Sequence, residues 1–280
     1  MSRAYGFSCF AGLSRFGMKF LYTALLFFTA FAVHAGDWRE DLTLKPGVFP
    51  PLRPLTVDYE FGWSGVTAAN AKAKFSVTGT QNELQLTIGT VGMARSMWKM
   101  DSRVTSVCDS LTLAPVSLVQ VEEYSDETRS TKVTFTEKGA ERFRVSTPPD
   151  KTPPKIKKFK LKDVHDMQSA LLFIRSQPLA VGEKVKLCVY PGSSGYFAVI
   201  EVLKREKITV AGKQWDAIKC DLKLREVDKK FTLKTHSKFK NAVAWFSDDQ
   251  DRLLLKIEAE VFIGKVWTEL KKFEFEDEKK

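Results

Sequence analysis

A chain of 280 residues, 44% hydrophobic and 12% aromatic, has the material for a sizeable core. That composition excludes general disorder and fits one large β domain or two smaller ones. A formal net charge of +10 points to anionic partners such as lipid headgroups, cell-wall polymers or acidic glycans, with plain solubility an equally weighted reading.

The first 35 residues differ from the rest. Arg3, Arg15 and Lys19 are the only charges ahead of an apolar run from Phe20 to Val33, which closes on Val33-His34-Ala35. This order of basic, apolar and small residues predicts a secretory signal peptide over 1–35, cut after Ala35, with Met18 a second candidate start. The run is shorter than the roughly 20 residues that span a bilayer, so a retained anchor is the weaker reading. Cys9 precedes the run and cannot be the lipidated cysteine of a lipoprotein leader. Removing 1–35 takes away three basic groups and no acidic one, leaving +7. A protein exported to the periplasm or cell envelope has no expected nucleic-acid partner, and its oxidising surroundings permit a disulfide. Of Cys108, Cys188 and Cys220, the pair Cys188–Cys220 is favoured if one forms, and three buried thiols are the alternative.

Residues 36–54, with Pro46, Pro50, Pro51 and Pro54, predict an extended lead-in. A single β-rich domain is expected over 55–275. Its first strand is Leu55–Phe61, with Leu55, Val57, Tyr59 and Phe61 on one face. Val66–Val77 follows, presenting Ala71, Ala73, Phe75 and Val77 against Lys72, Lys74 and Ser76. A third strand carries Leu84, Leu86 and Ile88. Met93, Ala94, Met97 and Trp98 recur at helical spacing and predict a short helix within 91–100. Strands at 103–107, 116–124, 131–136 and 142–145 continue the antiparallel series.

Residues 147–162 break the pattern, with four prolines followed by five lysines. Such like-charge runs usually mark a solvated connection, ahead of an anion-binding loop. Asp163 or Asp166 can cap the helix that follows, over 166–176. Its Met167, Ala170, Leu171 and Ile174 form the apolar stripe. Strand patterns then run at 183–190, 196–205, 207–210 and 215–224, while 227–241 is basic and weakly patterned. Ser247–Asp251 is turn chemistry. From Leu253 the apolar set Leu253, Leu255, Ile257, Ala259, Val261 and Ile263 alternates with Lys256, Glu258 and Glu260, and Gly264 starts a last strand. About a dozen strands and two helices result.

Catalytic constellations are hard to assemble. Residues 191–196 lack the Gly-x-Ser-x-Gly spacing of a nucleophile elbow. His165 and His236 are the histidines after the leader, the second in a Lys-rich stretch with no apolar packing to orient it. No spacing suggests a metal site, and no cofactor is expected. Asp248, Asp249 and Asp251 read more readily as a β-turn than as a calcium loop.

Three segments carry a family resemblance. These are Val57–Val66 around Trp63, Asp166–Arg175 with Ser169 leading into Gly182, and Trp245–Leu270 with Asp249, Arg252 and Gly264. Together they resemble the DUF3108 family of bacterial exported proteins over about residues 52–272. The resemblance implies a mostly β exported domain and supplies no reaction. Where relatives carry Ala-Gly, this chain has Ala69-Asn70, which removes a glycine suited to close backbone approach.

The expected architecture is a large curved antiparallel sheet or partly open β-barrel with one or two short helices packed on it. The expected function is a non-enzymatic envelope module binding a lipid or other apolar ligand on the concave face. Leu253, Leu255, Ile257, Val261, Trp245 and Trp267 are the candidate contacts. The rivals are an envelope glycan hydrolase using Asp166, Asp248 or Asp249, and a structural partner in a secreted complex.

Overall fold

The computed structural model describes residues 37–276 except 151–152, 237–238 and 262–263, so the leader expected at 1–35 lies outside the described residues. The chain divides into residues 1–40 and 41–280. In the first unit, Glu40 N donates to Asp37 O in a turn. All that follows concerns the second unit.

The first half is a meander of β1 (Leu55–Trp63), β2 (Val66–Thr78), β3 (Gln81–Thr90), β4 (Met100–Asp109), β5 (Pro115–Tyr124), β6 (Thr128–Thr136) and β7 (Gly139–Thr147), with α1 (Gly92–Met97) between β3 and β4. Two short strands follow, β8 (Lys157–Phe159) and β9 (Val164–His165), and then α2 (Met167–Ser176). The second half holds β10 (Lys184–Val189), β11 (Gly195–Val210), β12 (Lys213–Val227), β13 (Leu233–Thr235), β14 (Phe239–Ser247), β15 (Leu254–Val261) and β16 (Gly264–Phe275). Pairing of β16 with β1 joins the halves, giving the order β8-β7-β6-β5-β4-β3-β2-β1-β16-β15-β14-β12-β11-β10-β9, with β13 beside β12. Pairings are antiparallel except β9 with β10.

The sheet curls until its ends meet through side chains. The Phe159 ring of β8 stacks on Tyr190 at 5.0 Å between centroids. The same ring fills the space above Gly195, where an added Cβ would lie 2.2 Å from it. Arg142 Nη1 also donates to Gly192 O at 3.0 Å. The result is a partly open barrel whose ends are joined by packing rather than by a ladder of backbone bonds.

Three expectations are corrected. The segments at 196–205 and 207–210 are one strand, β11, because a bulge at Val202/Lys204 shifts the alternation without ending the ladder. The weakly patterned 227–241 contains β13 and the start of β14, and the Lys-rich connection contains β8. Short edge pieces carry too few residues for a period to show, so the described residues hold sixteen strands, not a dozen.

The helix lies where expected, but its buried face is rotated. Ala170, Leu172 and Phe173 go inward with Ser169, Arg175 and Ser176. Met167 is 60% exposed. α2 is covered on two sides, by the sheet and by the lead-in: Gly47 N donates to Ser176 Oγ, Phe49 N to Ser176 O, and Gln177 Nε2 to Lys45 O. Cys108, Cys188 and Cys220 are free, buried thiols, so the Cys188–Cys220 pair is not formed. Burial pushes all three thiols up to about 12.

Candidate functional site

The concave face of β1–β3 is not filled to its surface. β1 sends Leu55, Val57, Tyr59 and Phe61 inward, but Ala73 faces Val57 and Ala71 faces Tyr59 across the β1–β2 ladder. Alanines there leave a hollow that larger side chains would occupy. Leu84 and Leu86 of β3 extend the floor and remain only half-buried. Leu171 and Met167 of α2 form one wall, and Leu254, Ile257 and Thr268 of β15 and β16 the other. The resulting trough measures about 300 Å³, at the lower end of the roughly 300–1,000 Å³ typical of ligand pockets.

Its polar groups are few. Tyr59 Oη lies in the wall and donates to Leu254 O at 2.8 Å. Gln168 Oε1 is buried with no donor among the described residues. Arg175 and Arg252 line one end, 4% and 8% exposed.

Those arginines belong to a clasp that anchors α2. Asp166 caps the helix, accepting from Gln168 N at 2.8 Å and Ser169 N at 2.7 Å, while its own N–H donates to Ser169 Oγ. Ser106 Oγ donates to the other Asp166 oxygen at 2.6 Å. Burial raises the Asp166 carboxyl despite these donors. At the other end, Arg175 donates to Asp251 O, Pro50 O and Gln250 O. Arg252 donates to Arg175 O, Gln177 O and Pro178 O. Phe49 lies against both guanidiniums, 3.4 Å from Arg252 and 5.3 Å from Arg175. Asp249 Oδ1 accepts from Ser247 Oγ, Asp251 N and Arg252 N, closing the turn that presents the arginine. Arg252 itself sits at φ +43, a left-handed conformation set by that turn.

The residues of the resembled segments therefore fall into two groups. Asp166, Ser169, Arg175, Asp249 and Arg252 build the clasp, and Gly182, at φ +89, turns the chain after it. Trp63 and Gly264 meet at the opposite hairpin tips, where an added Cβ on Gly264 would lie 3.5 Å from Trp63 Nε1. Asn70 is exposed, opposite Gly89 and Glu60.

The trough brings together two of the six candidate contacts, Leu253 and Ile257. Leu255 is fully buried in the core beside it. Trp245 pairs with Lys219 across the β12–β14 ladder, and its indole N–H donates to Glu206 at 2.8 Å. That Glu206 carboxyl is held down at about 2 by hydrogen bonds from Lys204 and Trp245. Trp267 covers Gly62, where no larger residue fits beneath its ring. Val261 is at the hairpin end next to Gly264. A bulge at Trp245/Phe246 shifts the register of β15, so Leu254 reaches the wall that strict alternation assigned to Leu255. The alanine floor, Tyr59 and the β3 leucines went unassigned, although the Ala71–Ala73 face was visible as a run of small inward residues.

The carboxylates named for a hydrolase are separately engaged. Asp166 is enclosed beneath α2, Asp248 pairs with Arg205 at 2.7 Å, and Asp249 holds its turn. His165 is buried against Phe173 and is pulled down to about 4 by burial. His236, expected to lack packing, lies between Tyr196 and Phe239, and its Nδ1 accepts from Phe239 N. Among the described residues no cluster suits a metal ion, and no helix is long and apolar enough to cross a membrane. A larger hollow of about 610 Å³ on the outer face of β1–β4 is open and edged by ion-paired groups such as Lys271–Glu60. The smaller trough has the apolar enclosure that a ligand site needs.

A curled sheet with a helix across an apolar trough defines the class as a partly open, barrel-like β protein. The chain belongs to the family described as protein of unknown function (DUF3108), matched over residues 57–271. Among solved structures it is similar to a β-barrel-like protein of the domain of unknown function DUF1849 from Brucella abortus, with TM-score 0.55 and 11% identity, covering 81% of this chain and 100% of that one. A candidate lipoprotein from Parabacteroides distasonis gives TM-score 0.32 and 8% identity, covering 82% of this chain and 99% of that one. A candidate exported protein with a YmcC-like fold from Bacteroides fragilis gives 0.37 and 7%, again covering 82% and 99%. No curated protein matches.

Proposed function

We propose that this chain is an exported cell-envelope module, non-enzymatic, that holds an apolar ligand of lipid type in the trough beneath α2. The observation that carries this reading is a half-open hollow of about 300 Å³ with a floor of alanines, leucines and aromatics and side walls that are mostly aliphatic. Leaving that much apolar surface unfilled forgoes packing worth about 25 cal/mol per Å², a cost that a ligand would recover. The basic, apolar and small-residue order of 1–35 supports export.

The test is direct binding of an environment-sensitive alkyl probe to the protein, compared with Leu86→Trp, which places an indole in the trough floor. Circular dichroism establishes that the variant is folded. Saturable binding by the parent chain and a loss of at least tenfold in Leu86→Trp are expected. If the probe does not bind the parent chain, the reading fails.

A further inference from the structure

The inner end of the trough has an electrostatic character that an apolar ligand alone does not use. Arg175 and Arg252 are almost wholly buried, and neither forms an ion pair among the described residues. The nearby acids are engaged elsewhere. The Asp251 carboxylate takes Arg53 at 3.0 Å, Asp248 takes Arg205, and Asp249 Oδ1 takes turn amides and a hydroxyl.

Both guanidiniums bind carbonyl oxygens, which are dipoles and not counter-ions. A guanidinium carries five N–H hydrogens. Arg175 donates through Nε, Nη1 and Nη2 to one acceptor each, and Arg252 through Nη1 to two and Nη2 to one. Two hydrogens on each are therefore left without an acceptor among the described residues. Burial disfavours this charge: it pulls Arg175 down to about 10 against the opposing attraction of Asp251, and Arg252 adds a smaller lowering. Burial also lowers Arg252. Paired cations at the end of an apolar trough favour an anion, because a low dielectric strengthens the attraction and guanidinium matches carboxylate and phosphate geometry. Gln168 Oε1, buried and lacking a donor, adds an acceptor for a hydroxyl or amide at the first turn of α2, along the same trough.

We propose that the trough takes a single-chain acidic amphiphile, its tail along the β1–β3 floor and its carboxylate or phosphate head against Arg175 and Arg252. This rests on the reading that the trough holds an apolar ligand. The volume suits one chain rather than the two of a diacyl lipid. Carboxylate and phosphate heads share the chemistry that the arginines recognise, and the experiment distinguishes them.

The experiment uses the unaltered protein, because Arg175 and Arg252 also anchor α2 and their removal would confound binding with folding. Laurate, lauroyl lysophosphatidate and methyl laurate are titrated by calorimetry at pH 7.5. Binding of one acid at least tenfold tighter than the uncharged ester is expected, and the tighter acid identifies the head as carboxylate or phosphate. Equal affinity for acids and ester overturns the charged-head inference and leaves the apolar reading standing. If none of the three binds, both are overturned.

Discussion

His165 shows how a single buried side chain couples stability to pH. Its ring packs on Phe173, and Nδ1 lies 3.3 Å from Ser169 Oγ. Burial keeps it neutral in the folded chain until about pH 4, against an ordinary value of 6.5. The unfolded chain therefore binds the extra proton first, and stability is lost as pH falls from about 6.5 toward 4. A shift of that size corresponds to about 3 kcal/mol. Denaturant midpoints measured across this window should decline on the acid side, and His165→Phe should remove most of His165's share of that decline. The same scale sets what the sequence could reveal. Asp166 was legible as a cap because capping is local, one carboxylate to amides two and three residues on. Nothing near Ser106 announces that its hydroxyl reaches the same carboxylate, because that contact depends on how β4 and α2 pack. The trough was half legible for a similar reason. Leu253 and Ile257 follow from alternation, whereas Leu254 enters through a bulge that leaves no mark in composition.

At the level of elements, α2 is fixed at both ends. The capping box holds its start, and a crossed pair of arginines ties its end to the lead-in and to the turn before β15. Each arginine contact joins segments far apart in sequence, and the guanidiniums satisfy carbonyls that would otherwise be buried unpaired. Arg252→Ala should strand the carbonyls of Arg175, Gln177 and Pro178, and a loss of at least about 3 kcal/mol is expected from unsatisfied buried acceptors. Urea denaturation followed by tryptophan fluorescence measures it, and an unchanged midpoint would show that the clasp is not stabilising. Rigid ends also mean that α2 is a fixed wall of the trough, not a swinging cover. Ligand would enter past the exposed Met167.

For the molecule as a whole, the seam between β7–β8 and β10–β11 is the weak line. Elsewhere neighbouring strands share backbone ladders, but here Phe159, Tyr190 and the Arg142–Gly192 contact do the joining. Phe159→Ala should cost less than the roughly 3–5 kcal/mol of a fully buried phenylalanine, because the ring is half-buried. Amide exchange should quicken in β8 and β9 while β1–β3 keep their protection. Equal loss across all strands would contradict a localised seam.

The pairing of β1 with β16 has a consequence for how the protein is made. Leu55 finds its partner in Phe275, so nearly the whole domain must be available before the central ladder can form. Such a distant closure makes folding slow, and the N-terminal meander waits for its neighbour with one edge unpaired. Under the export proposed above, in which the chain would cross a membrane unfolded, that delay is an advantage: the ladder that would lock it into a shape too wide to pass is the last one available to form.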